Sequence, residues 1–118
     1  MHRHHAIDYI EFTVTDLALA RKFYADAFGW RFTEYGPGYL GIQGESGEVG
    51  GMHEGDAGGP GGILVILYSD DLEASRARVV AAGGSILKEP FDFPGGRRFH
   101  FADPAGNELA VWAEGRAP

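Results

Sequence analysis

The spacing of apolar and polar residues along this chain changes period several times, from about two to about 3.6 and back. Ile7 to Val14 (IDYIEFTV) is rich in β-branched and aromatic residues and reads as a strand. From Asp16 to Phe28 the spacing is helical, with Leu17, Ala20, Tyr24 and Phe28 on one side and Phe23 and Ala27 beside them. Thr15 or Asp16 is placed to accept an orphan backbone N–H at the start, and Gly29 to end the helix in the left-handed conformation. Strands are expected around Trp30 to Tyr35, Tyr39 to Gln43 and Glu48 to His53, separated by glycine-rich turns.

The same order then returns. Ile63 to Tyr68 reads as a strand, and Asp70 with Glu73 three residues later forms a capping-box-like start to a helix carrying Leu72, Ser75, Val79 and Gly83 on one face. Strands near Ser85 to Lys88, Arg98 to Ala102 and Glu108 to Ala113 follow, the last two joined through Asp103-Pro104-Ala105-Gly106-Asn107, whose proline and glycine suit a hairpin turn. Asp16-Leu17, Arg21, Ala27 and Gly29 recur as Asp71-Leu72, Arg76, Ala82 and Gly84, all at an offset of 55 residues. The pattern predicts an α+β fold of two βαβββ modules in tandem within a single domain, module one about 6–56 and module two about 62–114. Two sheets of this kind, each apolar on one face, are expected to pair into one curved mixed sheet around a cleft, where ligands commonly bind.

Composition narrows the partners. With 118 residues and a formal charge of −7 at pH 7, the chain suffices for one domain whose acidic surface repels nucleic acid and anionic membranes. A small neutral or amphipathic ligand fits better. The absence of cysteine rules out disulfides, a thiolate nucleophile and a cysteine-based zinc site. No apolar run approaches the length of a membrane span or signal-peptide core, so the expected compartment is the cytoplasm. The glycine-rich stretches 55–62 and 94–97 lack the strand-to-helix context and the Lys-Ser/Thr of a phosphate-binding loop, and read as flexible loops placed to cover the cleft. The opening Met1-His2-Arg3-His4-His5 reads as a frayed terminus.

Several short motifs carry a family resemblance. Asp16-Leu-Ala-Leu-Ala-Arg-Lys-Phe-Tyr-Ala-Asp-Ala-Phe-Gly-Trp30, Gly50-Gly51-Met52, the Asp-Asp-Leu-Glu-Ala run at 70–74, Ala82-Gly83-Gly84 and Phe101-Ala-Asp-Pro-Ala-Gly-Asn107 stand in the order found in the vicinal oxygen chelate superfamily, the glyoxalase, bleomycin-resistance and extradiol-dioxygenase group. Each has an ordinary reading as helix core, cap or turn. Together, across residues 7 to 113, they resemble a glyoxalase-like branch of that superfamily.

The resemblance implies a cleft that, in metal-dependent members, holds a divalent ion through His, Gln or Glu from the first and last strands of each module. Transferred to this chain, the first-strand positions fall on Tyr9 and Leu64, and the last-strand position of module two on Ala110. The remaining position lies somewhere in 49–55, where His53 and Glu54 are the residues able to coordinate. Leucine and alanine offer no donor, and a phenol holds its proton to about pH 10, so the expectation is that the chain holds neither metal nor other cofactor. A displaced set drawn from Glu11, Glu108, His100 and His53 is the alternative.

Period-two alternation from Tyr9, Leu64 and Ala110 adds Glu11, Thr13, Ile66, Tyr68, Glu108 and Trp112 to the same face, an apolar and aromatic lining with two carboxylates. Core packing explains Tyr68 and Trp112 as well as ligand contact does, and pairing with arginine accounts for the carboxylates. His100 sits three residues before Asp103-Pro104, where fosfomycin-resistance relatives carry a substrate-contacting tyrosine. It is the leading candidate for acid–base chemistry, with Glu11 and Glu108, while Arg98 could meet an anionic group. Three functions compete. One is metal-independent binding of a small hydrophobic or aromatic metabolite or antibiotic in the bleomycin-resistance manner, with Tyr9, His53, Leu64, Ile66, Tyr68, Arg98, Ala110 and Trp112 as contacts. Another is an acid–base enzyme using Glu11, His100 or Glu108. The third is a metal-dependent lyase or dioxygenase with displaced ligands. The resemblance also implies a homodimer.

Overall fold

A computed structural model describes residues 2–56, 62–104 and 106–115. Its elements are β1 (Ile7–Val14), α1 (Leu17–Phe28), β2 (Arg31–Glu34), β3 (Tyr39–Gln43), β4 (Glu48–Glu54), β5 (Ile63–Tyr68), α2 (Leu72–Ala81), β6 (Ser85–Phe93), β7 (Gly96–Ala102) and β8 (Glu108–Glu114). The fold is α+β, with the order βαβββ occurring twice. Two compact units divide the chain: Tyr9–Leu64 forms one, and the N-terminal residues up to Asp8 join Val65 onward in the other.

In the first unit the strands lie in the order β2-β3-β4-β1, antiparallel except for the parallel pairing of β1 with β4. Residues 12 and 14 of β1, 40 and 42 of β3, and 52 of β4 alternate onto the face that α1 covers, where Leu40, Ile42 and the wholly buried Met52 form a core with Phe12, Leu17, Tyr24 and Trp30 packed on it. Asp16 caps α1 by accepting from the Leu19 N–H at 3.0 Å, and Gly29 ends it with φ +73°. The opposite face carries Tyr9, Glu11 and Thr13 of β1, Tyr39 and Gly41 of β3, and Gly51 and His53 of β4.

The second unit has the same plan, β5-β8-β7-β6, with β5 parallel to β8. Its core is Leu72, Phe99 and Val111, with Leu67, Val79, Ile86 and Phe101 packed against it. The cap of α2 is Asp71, which accepts from Ala74 N–H at 3.1 Å. The sequence pattern had favoured Asp70, but Asp71 is the residue at the repeat offset from Asp16, and Asp70 lies one residue too early to reach the first free N–H groups.

Two other expectations change. The 94–97 segment is a tight connection between β6 and β7, with Phe93 paired to Gly96 and Gly95 at φ +106°, and does not form a covering loop. The corresponding reading of 55–62 falls largely outside the described residues. The N-terminal histidines are also not frayed: His5 N–H donates to the Tyr68 carbonyl at 2.6 Å, Tyr68 N–H donates to Ala6, and His2 stacks on Tyr68 with centroids 4.9 Å apart. Backbone pairing to the end of β5 holds this segment in place. No helix among the described residues is long and apolar enough to cross a membrane.

Candidate functional site

The helix-free face of the first unit is organised around two glycines. Gly41 and Gly51 are direct partners in the β3–β4 register, and Gly51 also pairs with Glu11 of β1. A side chain at Gly51 would collide with the hydroxyls of Tyr39 and Tyr9, and one at Gly41 with Glu48 and Tyr35. The missing side chains therefore leave room for a polar cluster. Tyr9 donates to Glu48 Oε2 at 2.7 Å, Tyr35 donates to Glu48 Oε1 at 2.5 Å, and the Tyr9 and Tyr39 hydroxyl oxygens are 2.9 Å apart. Tyr39 also reaches Glu11 Oε2 at 3.3 Å.

Glu48 belongs to this face because of a bulge. The register jumps from Ile42↔Gly50 to Gln43↔Glu48, so Val49 is the extra residue and Glu48 is turned onto the side of Gly51. Burial, then the hydrogen bonds with Tyr39 and Glu48, push the Tyr9 phenol far above its usual range. Burial pushes Tyr39 up to about 12. Both are neutral phenols at any physiological pH. Glu48, Tyr35 and Tyr39 were missed as site residues in the sequence; period two places residue 48 on the wrong face, and only recognition of the bulge corrects it. His53, expected to face a ligand, has its Nε2 3.0 Å from Thr13 Oγ1.

The internal repeat also fixes the metal-ligand position that the sequence leaves open. Val65 pairs with Leu109 in the second unit as Ile10 pairs with Gly50 in the first, and Ile66 with Ala110 as Glu11 with Gly51. Gly51 is therefore the counterpart of Ala110, and His53 and Glu54 are displaced from that position by two and three residues. The four positions that the family resemblance points to are Tyr9, Gly51, Leu64 and Ala110. Three have no donor atom, and the fourth is a protonated phenol engaged with a carboxylate. A divalent ion needs several oxygen, nitrogen or sulfur donors, so these residues do not fit one. Among the described residues of either unit, no three His, Asp or Glu side chains come together in a way that could hold a metal ion.

In the second unit the helix-free face carries Ile66 and Tyr68 of β5, Arg98 and His100 of β7, and Glu108, Ala110 and Trp112 of β8. His100 is central, paired with Ala110 across β7–β8 and with Lys88 across β6–β7. It is 4% exposed, its Nδ1 lies 2.9 Å from Glu108 Oε2, and its Nε2 is buried without a hydrogen-bond partner. A carboxylate only accepts, so Nδ1 carries the proton and the neutral ring presents a lone pair at Nε2. Burial lowers the His100 pKa, with Arg98 and Lys88 acting in the same direction and the Glu108 hydrogen bond opposing them. The imidazole is then neutral at neutral pH.

Aromatic groups surround it. Phe91 lies 5.8 Å from the His100 ring, and the Arg98 guanidinium sits 5.6 Å from the ring centres of both Phe91 and Phe93. Phe93 is 6.0 Å from Trp112, which forms an edge-on pair with Tyr68 at 5.3 Å. The sequence pattern ends β6 near Lys88, whereas the strand continues to Phe93 through register irregularities flanking Lys88, which adds Phe91 and Phe93 to this face. The polar ends of Tyr68 and Trp112 are engaged within the unit, by Glu114 at 3.2 Å and Asp8 at 2.9 Å. Among the candidates, Ile66, Tyr68, Arg98, His100, Glu108, Ala110 and Trp112 share this face, while Tyr9, Glu11, His53 and Leu64 belong to the first unit.

The profile of the Glyoxalase/Bleomycin resistance protein/Dioxygenase superfamily matches residues 6–111. The chain belongs to that superfamily. DnrV of Streptomyces peucetius, named an anthracycline biosynthesis protein, is 33% identical in an alignment that covers 85% of this chain and 44% of DnrV. CFP32 of Mycobacterium bovis is 29% identical over 92% of this chain and 46% of its own length. The chain thus spans less than half the length of these curated relatives. Among solved structures, the Mn(II)-bound glyoxalase from Novosphingobium aromaticivorans aligns with all of this chain and 42% of its own at a TM-score of 0.70, with 24% identity, a likeness of fold.

Proposed function

We propose that this superfamily member binds a small aromatic compound bearing a hydroxyl or enol, on the helix-free face of the second unit, using no metal held at the family's ligand positions. The observation that carries the reading is the buried, partnerless Nε2 of His100 beside Phe91. A buried polar atom without a partner is costly, and a ligand hydroxyl donating to Nε2 would remove that cost while its ring lies against the phenylalanines. Glu108 holds the tautomer that makes Nε2 an acceptor. The name of DnrV supports an aromatic ligand class, since anthracyclines are polycyclic phenols. Resistance by sequestration is one use of such binding, and a homodimer would supply about as much chain as these relatives possess.

The lowered His100 pKa favours a second role for the same atom. A neutral imidazole held by a carboxylate can take the proton of a phenol or enol, which would make the chain a metal-independent acid–base enzyme. A thermal-shift panel of phenols, naphthols and hydroxyanthraquinones, each beside its non-hydroxylated parent, tests the binding. Hydroxylated members should stabilise the protein, and His100→Phe should abolish the difference. Equal stabilisation by the parents would contradict the reading. Mass analysis of each binder after incubation then divides sequestration from turnover.

A further inference from the structure

The second unit has a concavity on the face covered by α2, apart from the face proposed above. Among the α2 residues that line it, Ser75 is buried, Val79 is half-buried and the C-cap residue Ala82 is exposed, all with short side chains, while the longer Leu72 is buried one turn earlier. A helix with such a face cannot fill the width of the sheet beneath it, and a groove of about 530 Å³ is left against Leu67, Phe101 and Val111. That volume lies within the roughly 300–1,000 Å³ typical of small-molecule sites.

One end of this groove is polar. His5 Nε2 lies 3.0 Å from Ser75 Oγ, which is 2.7 Å from Ser69 Oγ, and Ser69 in turn accepts the Asp71 N–H at 3.0 Å. Ser69 and Ser75 are 0% and 4% exposed, a hydroxyl chain placed inside an otherwise apolar wall. Arg78 lines the same groove one turn along α2 and forms no ion pair among the described residues, although the chain carries an excess of acidic groups. By contrast, Arg76 on the same helix holds Glu89 in two hydrogen bonds of 2.7 Å.

We propose that this groove is a binding site for a small amphipathic carboxylate, its apolar body against Leu67, Phe101 and Val111 and its carboxylate on Arg78 and the His5–Ser75 pair. Charge and shape agree on this class. An arginine beside a histidine and a serine offers several donors to an anion, while a cationic ligand would meet Arg78 and an uncharged one would leave it unused. The short side chains of Ser75, Val79 and Ala82 keep the apolar part open.

Octanoate titrated into the whole protein, followed by amide chemical shifts, tests the site, with octanol and octyltrimethylammonium as controls. Octanoate should shift Leu67, Ser75, Val79 and Phe101 at concentrations where the controls do not, and Arg78→Gln should weaken it by about tenfold or more. Ala82→Phe, which fills the groove from an exposed position, should block octanoate with the melting temperature retained. Equal response to octanol, or octanoate binding unchanged in Arg78→Gln, would overturn the proposal. So would octanoate shifts centred on His100 or absent altogether. Because His100 and Arg98 lie on the other sheet face, each site can fail without the other.

Discussion

Tyr39 occupies with its hydroxyl the space into which a side chain at Gly51 would project. Gly51 is the first-unit counterpart of Ala110, so one of the family's ligand positions is empty of side chain and its volume is taken by phenols. Together with the Tyr9–Glu48 hydrogen bond of 2.7 Å, this gives the first unit's helix-free face a hydrogen-bonded cluster of phenols and carboxylates.

Gly51→Ala should destabilise the protein by about 1–3 kcal/mol, since the new methyl must displace a ring held on two sides. Combining it with Tyr39→Val should cost less than the two single changes together, because the obstruction is gone in the double variant. Chemical denaturation of the four proteins measures the coupling. Additive effects would mean that Gly51 and Tyr39 do not compete for that space.

The same cluster predicts an alkaline limit. Folded Tyr9 and Tyr39 resist ionisation, Tyr39 up to about 12 and Tyr9 further, while their unfolded pKa is about 10. The unfolded chain therefore loses protons first, and stability should fall as pH rises above about 10. Phenolate absorbance should lag in the native protein and appear in full with unfolding. Glu48→Gln, which weakens the acceptor for Tyr9 and Tyr35, should cost roughly 1–3 kcal/mol at neutral pH.

His100 sets the acid side with the opposite sign. Its folded pKa is lowered from 6.5, so below that value the unfolded chain binds a proton that the native state refuses. Stability should decline as pH falls through that window, and His100→Phe should flatten the slope. An unchanged slope in the variant would assign the acid sensitivity to other groups. Glu108→Gln should steepen the decline, because the carboxylate is the neighbour that favours the charged ring.

His2 contacts Trp112 edge-on at 4.9 Å and bonds Asp8 at 2.8 Å, the same residue that holds the Trp112 indole. In a Trp30→Phe background, His2→Ala should change the intensity and maximum of the Trp112 emission, because the ring packed on the indole is removed. Identical spectra would mean that the N-terminal segment leaves Trp112 in solution.

The elements were legible because alternation and caps agree in this chain. Ile7–Val14, Tyr39–Gln43 and Ile63–Tyr68 run as their apolar pattern predicts, and Asp16 and Gly29 bound α1. Individual site geometry was less so, for three local reasons. The bulge at Val49 reverses the face of Glu48, which strict alternation cannot anticipate. Irregular pairing around Lys88 carries β6 on to Phe91 and Phe93 beside Arg98 and His100. Gly51 could be matched to Ala110 only from strand register, since the intervening loops of the two repeats differ in length. Tyr9, Leu64 and Ala110 were readable from the repeat and the flanking Asp residues, while their chemistry as a set needed the fourth residue.

The most direct test of the central claim follows the His100 ring nitrogens by long-range ¹H–¹⁵N correlation while 1-naphthol or naphthalene is added. The account predicts that the free protein shows a neutral ring protonated on Nδ1, and that 1-naphthol moves the Nε2 resonance while naphthalene does not. A ring protonated on Nε2, or an Nε2 resonance indifferent to the hydroxyl, would contradict it.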